Sequence, residues 1–439
     1  MNFTRKALTP TTRRCLSTSN KAYDHVIMGG GAIGASIAYH LAKATQGQGV
    51  KIALLERDIS YTKASYGLSA GGIRQQFSIE ENINMSVYSV EFIKAMAETV
   101  QWRENGYLFC ASENGEHILR ENLEIQRSCG VDWMKILNSQ ELEQRFPWLK
   151  TQSDFDSDIV CGSISDKNEG FFDPWIYASE LRRMASEMGV EFFEGEAYNA
   201  NFTNNSGMDT LRLDSLNAIV KDKTLGQVDT KITAKTFINA AGAWSAKLVD
   251  TLTQKIPYGR SIVAVPVEAR KRCIFNLHCP LDTAPPTSSP LTVAPCGVYF
   301  RPEGGQGRFI AGVSPDANDD PACEDTALEF VAHEEFDEKI WPALYDMVPA
   351  FENLKVISSW AGFYEFNFLD HNAIMGPHSD IDNLMLCTGF SGHGLQLSPA
   401  AGRAIAELVV YGKYQTLDLN RFSFDRIVDN KPIMEKAVI

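Results

Sequence analysis

Asp24-His-Val-Ile-Met28, then Gly29-Gly-Gly31-Ala-Ile-Gly34, an alanine-rich run to Ala44, and Val50-Lys-Ile-Ala-Leu-Leu55 closed by Glu56 decide how this chain is read. The order is a short apolar strand, a glycine turn, a helix and a second apolar strand, with GxGxxG at the exit of the first strand. Gly29 permits the tight turn, Gly31 lets the backbone approach a pyrophosphate, and Gly34 lets the helix pack closely on the strand. Phosphates placed there meet the free amides and the positive end of the helix. Glu56, at the end of the second strand, is suited to accept the ribose hydroxyls of an adenosine and would repel a 2'-phosphate. The unit predicts a dinucleotide site in a Rossmann-like α/β fold.

Working outward, Ala64-Ser-Tyr-Gly-Leu-Ser-Ala-Gly-Gly-Ile-Arg74 is a second glycine and serine cluster, followed by a helical pattern from Ile83 to Ala97. A nicotinamide domain has no standing need for such a turn, whereas the longer FAD must pass another backbone surface on its way to the ring system. The cofactor expected is therefore FAD, with Ser65 and Ser69 as donors and Gly71 and Gly72 allowing close passage. Thr236-Phe-Ile-Asn-Ala-Ala241-Gly242 is a buried strand ending in a small-residue turn, again suited to a cofactor. Near the C-terminus a strand from Asp382 runs into Gly389-Phe-Ser391-Gly392-His393-Gly394, and a helix is predicted beyond it with Ser398 as its cap and Pro399 in its first turn. A helix N-terminus aimed at the flavin would favour the negative charge that reduction puts on the ring.

Composition removes several classes. The chain has 439 residues, 44% of them hydrophobic, which suits two joined domains with a large core. Its formal charge of -14 argues against a nucleic-acid partner. No apolar run is long enough to span a bilayer, so membrane association is expected to be peripheral, through protein contacts. Nine cysteines without a CxxC suggest reduced thiols, with neither a disulfide framework nor a metal site expected. Arg270-Lys-Arg272 is read as a solvated loop or strand edge. Residues 1–20 carry Arg5, Lys6, Arg13 and Arg14 and no acid, the composition of a mitochondrial transit peptide.

The remaining texture predicts helices over 115–146, 175–188 and 324–345, the last of them facing solvent. A polar variable region covers 199–229, and strands fall at 262–267, 273–277, 297–301 and 309–313. The domain division expected is a discontinuous FAD-binding domain over 21–105, 160–255 and 358–425. A mixed-sheet substrate domain over 106–159 and 256–357 is interleaved with it.

The quoted pieces, together with Glu56-Arg57, Tyr299-Phe-Arg301 and Asp370 to Gly376, resemble the FAD-dependent oxidases of the D-amino acid oxidase and sarcosine oxidase superfamily from about Tyr23 to Phe424. The resemblance implies that Arg57 joins the cofactor set. It also implies that Arg74 anchors a substrate carboxylate, with Tyr364 and Gln396 lining the same pocket. Gln396 stands where sarcosine oxidases carry a second, cationic anchor. Ile310 stands where they carry the lysine that activates oxygen, so electrons are expected to go to a carrier protein. Phe363 stands near a flavin-linking cysteine of some members, which implies non-covalent FAD. The stretches Gly67 to Ser78, Phe171 to Trp175, Val267 to Arg272 and Gly389 to Gln396 are similar to a mitochondrial branch of the superfamily. That likeness implies a matrix-side protein of the inner membrane whose partners are complex I subunits or assembly intermediates. The alternative it leaves open is an amine dehydrogenase acting on a small secondary or tertiary (N-methyl) amino acid.

Overall fold

The computed structural model describes residues 17–155, 157–204, 209–256, 260–315 and 319–436. The opening unit folds as β1 (Ser17–Met28), α1 (Ala32–Ala44) and β2 (Ile52–Glu56). Next come β3 (Gly72–Ile73), α2 (Glu80–Lys94), β4 (Tyr107–Ala111), α3 (Glu113–Ser128), β5 (Met134–Asn138), α4 (Ser139–Arg145), β6 (Cys161–Ser165), β7 (Gly170–Phe171) and α5 (Pro174–Glu187). The middle of the chain supplies β8 (Glu191–Asn204), β9 (Leu211–Asp222), β10 (Gly226–Asn239), α6 (Ser245–Thr253), β11 (Val267–His278), β12 (Leu291–Val293), β13 (Tyr299–Pro302) and β14 (Arg308–Gly312). The last third holds α7 (His333–Glu335), a π turn at Phe336–Ile340, α8 (Trp341–Met347), β15 (Lys355–Asn367), β16 (Ile374–His378), β17 (Ile381–Thr388), α9 (Gly394–Tyr411) and α10 (Asp425–Val428).

Two large sheets result. In the first, β2, β1, β10 and β17 are parallel neighbours, β8 enters beside β2, and β16 closes the far edge antiparallel to β17. Between them β8, β9 and β10 form an antiparallel meander. The second sheet runs β15-β11-β14-β13-β12-β4-β6-β5, and all its pairings are antiparallel except β12 with β4. Helix α1 covers the first sheet, and Gly402 lets α9 cross it tightly: a Cβ there would strike Ser36 of α1.

Several expectations are corrected. The predicted helix over 115–146 is broken at Gly130, where φ is +82°, and Met134–Asn138 becomes a strand beside β6. The polar region 199–229 is mostly strand. Leu211, Leu213, Leu216, Ala218 and Val220 are buried, and its polarity is that of the outer face. The strand expected at 262–267 begins only at Val267. The 324–345 helix starts at His333, and Phe336, Ile340 and Leu344 turn inward against the second sheet's core instead of facing solvent. β6 and β15 belong to the second sheet, so that sheet extends past the boundaries drawn at 160 and 358. Of the expected leader, residues 1–16 lie outside the described residues, while Ser17 to Asn20 pair with Val228 to Lys231 inside the first sheet.

Helix α9 begins at Gly394, four residues before the expected cap. Pro399 inside it has no N–H for the carbonyl of Leu395, and the Ser398 hydroxyl donates to that oxygen instead at 2.8 Å. A proline that reads as a first-turn residue is thereby accommodated in the second turn.

Candidate active site

Both sheets face one cavity of about 880 Å³, which runs from the Gly29 turn to Gln396. At one end lie the C-terminal ends of β1 and β2. Gly29 has φ +105°, and a Cβ on Gly34 would collide with the Gly29 carbonyl, so both glycines are required by the turn itself. Gly31 differs. Its φ of -64° is open to any residue, and the nearest atom to a Cβ there is Tyr66 Cδ1 at 3.9 Å, across open cavity. Gly31 is also the N-cap of α1, which has no side-chain cap, so the first-turn amides are left for a ligand.

Glu56 is held in place by the backbone: Oε2 accepts from the Gly30 N–H at 2.7 Å and Oε1 from the Asp58 N–H at 2.9 Å. Each oxygen keeps a further acceptor position for a ribose hydroxyl. Arg57, expected to hold cofactor, lines the cavity but pairs with Asp325 at 3.0 Å and lies over the Trp244 ring. Ser65, within a short 3-10 turn, and Ser69 both line the cavity, and the Ser69 hydroxyl is also engaged by its own turn, donating to Tyr66 O and accepting from the Gly71 N–H. Gly71, Gly72, Ala241 and Gly242 also line the cavity. The uncapped helix, the space at Gly31 and the length of the cavity fit an extended dinucleotide.

The other end is made of side chains. Arg74, at 1% exposure, lies over Phe77 and Phe109, donates to the Gln76 carbonyl, and meets His393 Nε2 at 3.0 Å. A guanidinium only donates, so Nε2 must accept and the imidazole is neutral, with its proton on Nδ1. Burial and the Arg74 charge hold His393 well below the ordinary histidine range, in agreement with this assignment. Gln396 accepts the Arg74 main-chain N–H at 2.9 Å and thereby fixes the loop that carries the guanidinium. Next to it, the buried Glu169 accepts from the Gln75 N–H and from Gln76 Nε2, and burial pushes its carboxyl up to about 8.

Tyr364 hydrogen-bonds the Ser391 carbonyl and occupies the space that a side chain on Gly392 would need. Burial pushes Tyr364 and the nearby Tyr299 up to about 12. Gly392, His393 and Gly394 line the cavity; Gly389 and Ser391 do not, and instead shape the loop behind it, where Ser391 Oγ accepts the Asn367 N–H. Ile310 is buried in the second sheet opposite Arg301 and is not a lining residue, whereas Phe363 lines the cavity against Trp244. Among the described residues no cysteine lines it.

Sequence reasoning missed two charged residues. Arg272, placed with the solvated basic run, lines the cavity, lies over Tyr364, and makes a two-point ion pair with Asp320 at 2.7 and 2.8 Å. The signal available was strand alternation through Arg270-Lys-Arg272, which sends alternate residues to one face. Glu365 also lines the cavity; a lone acid within the apolar Gly362-Phe-Tyr-Glu-Phe366 was its only mark.

With that geometry in place, the comparisons agree with it. The family model described as FAD dependent oxidoreductase matches residues 24–408. The chain is 40% identical to "FAD-dependent oxidoreductase domain-containing protein 1" of Xenopus laevis, over 95% of this chain and 85% of that protein. It is 37% identical to the protein of the same name from Bos taurus, over 95% and 87%. Among solved structures, L-proline dehydrogenase from P. horikoshii superimposes with a TM-score of 0.76 at 24% identity, covering 94% of this chain and all of that one. Glycine oxidase from Geobacillus kaustophilus gives 0.69 at 21%, covering 92% and 98%. These two are likenesses of fold. Matched across both sheets, and carrying the nucleotide turn and the cavity that the family's cofactor requires, this chain belongs to the FAD dependent oxidoreductase family.

Proposed function

We propose that this protein is a mitochondrial FAD-dependent oxidoreductase, held peripherally on the matrix side of the inner membrane, that supports the assembly of respiratory complex I. The alternative is that its cavity oxidises a small secondary or tertiary (N-methyl) amino acid. The observation that carries the redox part is the buried Arg74 in the same cavity as the nucleotide turn. FAD, when bound, supplies a two-electron hydride acceptor. Arg74 binds the substrate carboxylate, and Gln396 and neutral His393 hold the guanidinium in place. Neutral His393 adds no second positive charge beside it. Loss of a hydride from the carbon next to nitrogen leaves an imine, which water hydrolyses to a carbonyl compound and an amine, and the electron pair passes to a carrier protein. No cysteine lines the cavity among the described residues, which supports FAD held without a thioether link.

One observation favours the assembly role over turnover. The other arginine at the Arg74 end of the cavity, Arg272, is already neutralised by Asp320, and Gln396 brings no charge, so Arg74 stands without the second anchor a tightly held acid would have. Anaerobic addition of N-methyl amino acids and proline-like amines to the purified flavoprotein separates the two. Bleaching of the flavin absorbance establishes the dehydrogenase and its substrate class. A flavin that dithionite reduces but none of these amines does leaves assembly as the function, to be read from complex I content in cells lacking the protein.

A further inference from the structure

We propose that Glu365 contacts the bound flavin, accepting a hydrogen bond from one of its N–H or O–H groups, and holds the cofactor at a low reduction potential. Glu365 sits on β15 and faces the cavity between two turns, the one at Gly242 after β10 and the one from Gly389 to Gly394 after β17. β10 and β17 are parallel neighbours, with Asn239 opposite Leu386, so the carboxylate stands in the crevice beyond the carboxyl ends of two strands, where open α/β sheets bind ligands.

The chain makes room for this carboxylate. A Cβ on Gly394 would lie 2.9 Å from Oε1, closer than a side chain can come. Oε2 accepts from the Thr388 hydroxyl and from the Gly389 N–H, both at 3.2 Å, which aims the group without using all its acceptor positions. It also lies beside the start of α9, whose N-cap His393 makes no side-chain cap. That helix end favours negative charge on the flavin, and Glu365 opposes it.

Reduction adds negative charge to the flavin. In a dry cavity an ionised carboxylate in contact makes that addition less favourable, so the potential falls. By linkage, reduction raises the affinity of Glu365 for a proton. Desolvation already pushes this carboxyl up to about 7, so its proton is available for that coupling near neutrality. The titratable groups that bear on it directly are Cys387 on β17 and Tyr364 on its own strand; His393, just before α9, and Arg74, just after β3, line the same cavity. Burial holds Cys387 and Tyr364 in their neutral forms, and His393 is neutral. Arg74 keeps its charge throughout, so Glu365 is the member of the group that changes charge near neutrality.

The test is the midpoint potential of the FAD-loaded protein, with dithionite as reductant, in Glu365→Gln and Glu365→Asp. It needs no substrate and is therefore independent of the proposed turnover. Glu365→Gln should favour the reduced flavin at least tenfold, a rise of about 30 mV for a two-electron couple. It should also flatten the dependence of potential on pH around 7, with Glu365→Asp remaining nearer the native value. An unchanged potential and absorbance spectrum at equal flavin content overturns the proposal and leaves the carboxylate as a tie for the turn after β17. If Glu365→Gln loses flavin, Thr388→Val decides: retention of flavin by that variant supports contact, and an equal loss assigns both residues to the turn and overturns it.

Discussion

The two ends of the cavity are built by different means. The nucleotide end uses backbone: the glycines of one local unit and the amides at the start of α1, all within the span from Gly29 to Asp58. The opposite end uses side chains from five distant places, Arg74, Arg272, Tyr299, Tyr364 to Glu365, and His393 to Gln396. A backbone site must exclude side chains, and so it is written in glycine. A side-chain site needs only that certain residues converge, and convergence leaves no mark at short range. The difference predicts that damage to the first end removes the cofactor, while damage to the second leaves the cofactor and changes what it can do.

The largest effect is expected at Gly31. Its backbone angles suit any residue and open cavity faces it, so Gly31→Asp should fold yet set a charge against the pyrophosphate. The purified variant should melt within a few degrees of the native flavin-free protein and carry essentially no flavin, read as the absorbance ratio of flavin to protein. A variant that retains flavin would break the comparison at its root.

Arg74→Lys should do the reverse, keeping the flavin and the charge while losing the planar donor geometry. Weakening a buried, hydrogen-bonded charge contact costs about 2–4 kcal/mol, roughly 30- to 1,000-fold in the rate of flavin reduction by any amino acid that bleaches the native protein. Stopped-flow absorbance measures it, and equal rates would remove Arg74 as the anchor.

Asp320→Asn leaves Arg272 charged at the cavity wall without its two-point partner. Breaking such a pair destabilises by about 3 kcal/mol, visible as a lower melting temperature, and the freed guanidinium should tighten binding of a carboxylate inhibitor such as benzoate. Stability lost without tighter binding would show that Arg272 does not reach ligand.

A smaller effect concerns pH. Glu169 titrates at about 8 in the folded chain, above the ordinary carboxyl value of 4.5. The native state therefore binds more protons than the unfolded state between those values. Its stabilising contribution is complete below about 4.5 and is lost as pH rises through 8. The stability difference between the native chain and Glu169→Gln should fall by a few kcal/mol across that window, measured by denaturant unfolding of the flavin-free protein. A difference that grows with pH would mean that the two donors, Gln75 N–H and Gln76 Nε2, outweigh burial.

How far each end was legible follows from the same contrast. Gly29, Gly31, Gly34 and Glu56 come together at one end of the cavity because sequence neighbours remain spatial neighbours across a strand, turn and helix. Arg74 and Gln396 were placed through resemblance, and their mutual hydrogen bond spans 322 positions of chain, which no local pattern records. Arg272 was misread because a charged run on a strand looks the same whether its face meets water or a cavity. Ser398 and Pro399 were misread as a helix start because the compensating bond from Ser398 to Leu395 is invisible without coordinates.

The sequence by itself determined the family, the cofactor and the nucleotide turn, since each rests on residues whose covalent order already supplies their geometry. Only the tertiary structure decided which charges enter the cavity and which are neutralised there. Burial and pairing are properties of the packed sheets, and they set the charge of a side chain more strongly than its identity does.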